Sequence, residues 1–192
     1  MRKIIGLTGP TGSGKTTLCA AASDMGIAVI NCDEVARSVA NGGSLNTALA
    51  EEFGADIIEN GVLSRRLLAE RAFVSREKTE RLNEIMLPAI VLEIEKRIGE
   101  ESVLLDAPTL FESGLDKKCD CVIAVLADEN TRKQRIIARD GLSEKDADVR
   151  LSAAKSDEFF TSRADYVIYN NGDEHEFYEK SKELLIQITE EK

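Results

Sequence analysis

The sequence is short of the residues that build metal centres and disulfide frameworks. Its one histidine is His175, and its four cysteines (Cys19, Cys32, Cys119 and Cys121) include no Cys-x-x-Cys pair. Zinc sites draw on such clusters, so zinc chemistry is set aside, and reduced, packed thiols in a cytoplasm are the expectation. No apolar run approaches the roughly eighteen residues of a transmembrane helix. The stretch Ile4-Ile5-Gly6-Leu7 behind Met1-Arg2-Lys3 is too short for the apolar region of a signal peptide. Positive charge is also scarce: 25 lysines and arginines stand against 35 acidic residues, for a net charge of −10. Backbone binding to nucleic acid rests on clustered Lys and Arg. The expectation is therefore no nucleic-acid partner and no membrane, with room for a small phosphorylated ligand in one local pocket. What the chain does have is apolar content, 43% of 192 residues, enough for a full core in one domain with a small insertion.

Short apolar runs alternate with helical periodicity, the pattern of an α/β fold with a parallel sheet. Strands are predicted at 3–8, Ala28–Asn31, Val103–Asp106, Cys121–Leu126 and Tyr166–Tyr169, short and apolar as strands buried on both faces should be. Helices are predicted at 15–25, with Leu18, Ala21, Ala22 and Met25 on one stripe, and at about 174–189, with Phe177, Tyr178, Ser181, Leu184, Leu185 and Ile188 on one face. His175 falls in a polar turn before that last helix, on the surface. Between the second and third strands, residues 32–102 read as helix after helix without a strand, with breakers at Asn41-Gly42-Gly43, Asn60-Gly61 and Pro88. A connection this long is either a helical insertion that walls a ligand site or a structural cap.

Gly9-Pro10-Thr11-Gly12-Ser13-Gly14-Lys15-Thr16 satisfies G-x-x-x-x-G-K-[ST] in full, after a strand and before a helix. Glycines let the backbone turn several N–H groups inward, and the helix adds its positive end. Lys15 brings a charge to the β/γ-phosphates and the Thr16 hydroxyl is a Mg²⁺ ligand. Asp106 ends the third strand, where an open α/β sheet gathers ligands; it either holds the magnesium or caps the turn before Pro108. Asp33 follows the second strand and begins a helix over 33–39. It either accepts a proton from an attacking hydroxyl or serves as an N-cap.

Two basic regions stand out. Arg132, Arg135 and Arg139 are spaced to share one helix face, with Lys133 beside them. They are either a lid that neutralises a transferring phosphoryl group or a solvated surface. Arg65, Arg66, Arg71, Arg76 and Lys78 lie in the insertion and are either a phosphate-receiving patch or surface. Guanine-nucleotide switches need N-K-x-D and D-x-x-G segments, and neither occurs.

Taken in order, six segments resemble the dephospho-coenzyme A kinase family of P-loop kinases over nearly the whole chain. They are Ile5-Gly6-Leu7-Thr8-Gly9 running into the phosphate loop; Val29 to Arg37 with Asp33; Phe53-Gly54 with Gly61-Val62-Leu63-Ser64-Arg65; Asp106-Ala107-Pro108-Thr109-Leu110-Phe111-Glu112; Arg139-Asp140-Gly141-Leu142-Ser143; and Asp165 to Asn170. The resemblance implies a three-layer fold with a five-stranded parallel sheet. Its nucleotide-binding core would take residues 1–31 and 103–192 with a lid at about 128–155, and its helical substrate-binding insertion residues 32–102. It also implies ATP- and Mg²⁺-dependent phosphorylation of the ribose 3′-hydroxyl of dephospho-CoA, the last step of coenzyme A biosynthesis, by a cytoplasmic monomer or weak homo-oligomer. By the same resemblance Asp33, Lys15 and Arg139 are catalytic. Gly9, Thr11, Gly12, Ser13, Gly14, Lys15, Thr16, Thr17 and Asn170 hold the nucleotide; Thr8, Asp33, Arg65 and Asp106 hold the acceptor; Thr16 and Asp106 hold the metal. The chain departs from the family at Asn31-Cys32-Asp33, where D-x-D is usual, at Pro10 and Thr11 in the loop, at Leu87-Pro88 for His-Pro, and at Ala154 for a Gln. These departures bear on acceptor recognition. The alternatives are a P-loop kinase for another nucleoside, nucleotide or pantetheine-like alcohol, or a relative that binds without chemistry.

Overall fold

A computed structural model describes residues 2–190. In chain order the elements are β1 (Ile4–Thr8), α1 (Lys15–Asp24), β2 (Ala28–Asn31), α2 (Cys32–Asn41), α3 (Asn46–Phe53), β3 (Ile58–Glu59), β4 (Val62–Leu63), α4 (Arg65–Ala72), α5 (Arg76–Arg97), β5 (Val103–Asp106), α6 (Leu110–Ser113), β6 (Cys121–Leu126), α7 (Glu129–Asp140), α8 (Glu144–Ser152), α9 (Asp157–Thr161), β7 (Tyr166–Tyr169) and α10 (Glu174–Glu190). Five strands form one parallel sheet in the order β2-β5-β1-β6-β7.

Strand side chains alternate between the faces of a sheet, and the two faces have separate cores. Ile5 and Leu7 of β1, Leu104 of β5, and Ile123 and Val125 of β6 meet Leu18, Ala21 and Ala22 of α1 and Phe177, Leu185 and Ile188 of α10. Val103, Leu105 and Val122 face the other way, onto Val35 of α2, Ile94 of α5 and Leu110 of α6. Full burial of one such aliphatic side chain is worth roughly 1.5–3 kcal/mol. The result is the three-layer, P-loop kinase-like arrangement with helices on both faces. Gly6 is small for a packing reason, since a Cβ there would lie 2.8 Å from Leu110 Cδ2 and 2.9 Å from Cys119 Sγ.

The segment between β2 and β5 has its own core, where Leu49 and Phe53 of α3, Leu63, Leu68 and Ala72 pack with Met86 of α5. It is not free of strands. Ile58 pairs with Leu63 and Glu59 with Val62, antiparallel, about Asn60 at φ 51° and Gly61 at φ 79°. Asn-Gly is the preferred two-residue hairpin turn because both positions need positive φ; a strand pair of two residues each leaves no periodic signal. Pro88 does not break its segment either, because α5 runs through it over 22 residues. Proline has no N–H to offer the carbonyl four residues back, at Glu84. Glu84 and Pro88 both sit on the exposed side, open to solvent, and packing through Met86 and Ile94 keeps the helix intact. His175 is exposed as expected, but inside the first turn of α10 rather than before it. Among the described residues no helix is long and apolar enough to cross a membrane.

Candidate active site

The parallel sheet sends the carboxyl ends of β1, β2 and β5 to one edge, and a cavity of about 830 Å³ opens there. Its walls include Thr11, Gly12, Gly14, Lys15 and Thr16 from the loop after β1, Asp33 after β2, and Asp106 at the end of β5. Arg135 and Arg139 of α7 and Arg150 of α8 close the opposite side.

The loop's shape needs its glycines. Gly14 precedes α1 at φ 98°, and a Cβ there would lie 2.0 Å from Asn170 Nδ2. Gly12, at φ 79°, leaves only 2.8 Å between its imaginary Cβ and the Arg132 carbonyl oxygen. α1 carries no acidic residue in its first turn and no side-chain cap, so its first amides remain available to an anion. Lys15 Nζ donates to Gly9 O at 2.7 Å and to Pro10 O at 3.3 Å, across the mouth of the loop. Burial holds the Lys15 ammonium below its ordinary pKa, against the opposing pull of the Asp106 carboxylate.

Asn170, after β7, is 3% exposed and donates through Nδ2 to Ser13 O at 2.9 Å. Arg135 donates to Asn170 Oδ1 and to the Asn170 carbonyl, both at 3.1 Å, and more weakly to Gly12 O and Ser13 O. The structure therefore assigns Asn170 and Arg135 to bracing the loop from behind. Ser13 is fully buried, and its Oγ has no partner among the described residues.

Asp33 is the second residue of α2, exposed, with its carboxylate on the cavity. It is not the cap. Asn31 takes that place, its side-chain oxygen accepting the Glu34 N–H at 3.0 Å. The two roles open to Asp33 from sequence are thus divided between two residues. Cys32 lies behind it, 6% exposed, and burial pushes its thiol up to about 12, so it stays protonated. Asp106 is half-buried; Oδ1 has no hydrogen-bond partner, and desolvation raises its pKa against the pull of Lys15.

Four of the remaining site residues lie elsewhere. Thr8 is fully buried, its hydroxyl donating to Pro108 O at 3.2 Å; it steadies the turn after β5 and does not line the cavity. Arg65 is exposed at the start of α4, outside the cavity walls. Thr17 lines a separate surface recess beside Glu174 and Tyr178, and Gly9 is buried and borders a smaller space beside Pro108.

The insertion's other cations are committed. Arg66 pairs with Glu70 and Arg76 with Glu80, each four residues on along its helix, while Arg71 pairs with Asp56 and Lys78 with Glu52, partners that nearby charge in the sequence does not reveal. Nor is the α7 face a solvated one, because Arg132 is only 7% exposed and packs against the phosphate loop. Arg139 holds Asp140 through two bonds, at 2.7 and 2.9 Å, and Arg150 reaches the same carboxylate at 2.7 Å. That pairing keeps Asp140 below the usual aspartate value and raises Arg139. The Arg150 contact joins α7 to α8, and no local spacing announces it.

The oxygen donors suit a hard divalent cation. Magnesium takes one or two protein oxygens together with substrate phosphates; the Thr16 hydroxyl and the orphaned Asp106 Oδ1 offer them on either side of the loop. Among the described residues no cluster of three or more His, Cys, Asp or Glu could hold a metal by itself.

Comparison with known proteins agrees with this geometry. A family model described as "Dephospho-CoA kinase" matches residues 3–176. The dephospho-CoA kinase of Corynebacterium glutamicum is 38% identical over 192 residues, covering 96% of each chain. That of Corynebacterium diphtheriae is 40% identical over 190 residues, covering 95% of each. Among solved structures, TT1252 from Thermus thermophilus superposes with a TM-score of 0.80 at 29% identity over 97% of both chains. The dephospho-CoA kinase from Campylobacter jejuni, at 22% identity and a TM-score of 0.69 over 98% of both, shares the fold. With phosphate loop, paired carboxylates and full-length similarity in register, this chain belongs to the dephospho-CoA kinase family.

Proposed function

We propose that this protein transfers the γ-phosphoryl group of ATP to the ribose 3′-hydroxyl of dephospho-CoA, releasing CoA and ADP. The observation that carries the reading is the shared cavity: an uncapped, exposed Asp33 carboxylate and the phosphate-binding loop on the walls of one space.

The chain's own groups supply position and charge. The amides of residues 12–16 and the Lys15 ammonium hold the phosphates, with Arg135 and Asn170 keeping the loop in shape. Asp33 accepts the proton of the 3′-hydroxyl as its oxygen bonds to the γ-phosphorus and the bond to the bridging β,γ-oxygen breaks, the electron pair leaving with ADP. Arg139 offsets charge on the transferring group. Thr16 and Asp106 would hold Mg²⁺, which neutralises phosphate charge when bound. In this reading residues 1–31 and 103–192 form the nucleotide core, 32–102 the acceptor side and about 128–155 a lid. The reaction runs in the cytoplasm, in a monomer or weak homo-oligomer that needs no nucleic acid. Four cysteines outside any disulfide, the thiols of Cys19, Cys32 and Cys119 pushed up to about 12 by burial, suit a reducing compartment.

The test is Asp33→Asn in a coupled ADP-release assay with dephospho-CoA, alongside ATP binding by calorimetry. The substitution is isosteric and exposed, so ATP affinity should hold while kcat falls by ~10²-fold or more. Turnover within a factor of about two of the wild type would remove Asp33 from the reaction.

A further inference from the structure

Helix α7 carries four cations, and three of them are engaged. Arg135 donates to Asn170, Arg139 holds Asp140, and Lys133 pairs with Asp148. Arg132 is the exception. It is 7% exposed, and its Nε and Nη1 are buried with no hydrogen-bond partner. Among the described residues no carboxylate pairs with it and no ring stacks on it.

Its place is against the phosphate loop. A Cβ on Gly12 would lie 2.8 Å from the Arg132 carbonyl oxygen, 3.1 Å from its Cα and 3.2 Å from its Cβ. The side chain therefore starts in contact with the loop, and its guanidinium lies within one arginine's length of Gly12. Unlike Arg135 and Arg139, it stands outside the walls of the cavity. Four described residues have a buried side-chain polar atom without a partner, and three of them, Ser13, Asp106 and Arg132, surround the loop. Unmet polar groups thus gather where phosphates would sit.

A buried charge without a partner opposes folding. A lysine in such a place can shed its proton, whereas an arginine keeps its charge. What the neighbourhood lacks is negative charge, and a polyphosphate held by the loop amides brings it. Because Nε and Nη1 are out of contact with water, attraction across Gly12 is weakly screened, and each added phosphate strengthens it.

We infer that Arg132 is a positioning residue for the nucleotide. Its charge is unbalanced in the free chain, is balanced by a polyphosphate across Gly12, and draws that group into the loop. The chain is less stable without nucleotide and binds it more tightly as a result. This rests on the phosphotransferase reading only in that a nucleoside polyphosphate occupies the loop.

The experiment takes Arg132→Met, Arg132→Gln and Arg132→Lys and measures two things: the melting temperature without ligand, and the calorimetric affinity for ATP, ADP and AMP with Mg²⁺. Arg132→Met should melt higher than the wild type by about 2–4 °C, and Arg132→Gln no lower than the wild type. Both neutral variants should bind ATP roughly tenfold more weakly, with a smaller loss for ADP and the least for AMP. Arg132→Lys, which keeps the charge, should keep most of the ATP affinity. A merely structural arginine would lower stability and affinity together and treat the three nucleotides alike, and that result overturns the inference. So do an unchanged ATP affinity in the neutral variants, an equal loss in Arg132→Lys, and failure of both neutral variants to fold; if only one folds, it decides. A wild type that binds no ATP overturns the phosphotransferase reading as well.

Discussion

Two aspartates share the cavity in opposite surroundings. Asp33 is exposed and relieved of capping by Asn31, whereas Asp106 is half-buried with one oxygen unpartnered. Because desolvation raises the Asp106 pKa, its ionised form is disfavoured by folding. The sign follows from linkage. As pH rises past the ordinary aspartate value, the unfolded chain releases this proton before the folded chain does, so the contribution to stability falls. Asp106→Asn should therefore melt higher than the wild type at neutral pH without ligand, by about 2–4 °C if ~1 kcal/mol is recovered. That gap should narrow as the pH is lowered towards the ordinary aspartate value. Scanning calorimetry across pH checks it; a variant that melts lower at neutral pH would mean that attraction to Lys15 outweighs desolvation. Both aspartates were legible in the sequence because each follows a short apolar strand. Which of Asn31 and Asp33 caps α2 was not, since both are good capping residues two positions apart and only backbone direction decides.

At the scale of elements, the phosphate loop keeps its shape through α7 and the end of β7. Asn170 gives one hydrogen bond to Ser13 O and accepts one from Arg135. Asn170→Ala would leave a buried carbonyl and a guanidinium short of partners, at roughly 2–3 kcal/mol. ATP affinity should weaken at least about tenfold and the melting temperature should fall, both readable by thermal shift with and without nucleotide. Loss of affinity without loss of stability would instead make Asn170 a direct nucleotide contact. Spacing put Arg132, Arg135 and Arg139 on one face, but periodicity says which residues share a face and nothing of what that face meets. It meets the loop at Arg132 and Arg135 and the cavity at Arg139. The hairpin at Asn60-Gly61 and the helix through Pro88 escaped for a related reason: one is too short to show a period, and the other is held by tertiary packing that overrides a local breaker.

At the scale of the whole molecule, the parallel sheet and its order of crossovers bring residues 9–16, 33, 106, 139 and 150 to one edge although they are scattered along the chain. The strands were readable because both their faces are buried, and the phosphate loop because its glycine spacing is set by backbone geometry. The Arg139-Asp140-Arg150 link depends on how helices dock, which no single segment encodes. The most direct measurement is product analysis of the purified chain with ATP, Mg²⁺ and dephospho-CoA, by mass spectrometry for the added phosphoryl group and phosphorus NMR for its position. The account expects CoA, phosphorylated at the ribose 3′-oxygen, in equal amount with ADP. Dephospho-CoA recovered unchanged while ATP is bound or hydrolysed, or a phosphoryl group on any other oxygen, would contradict it.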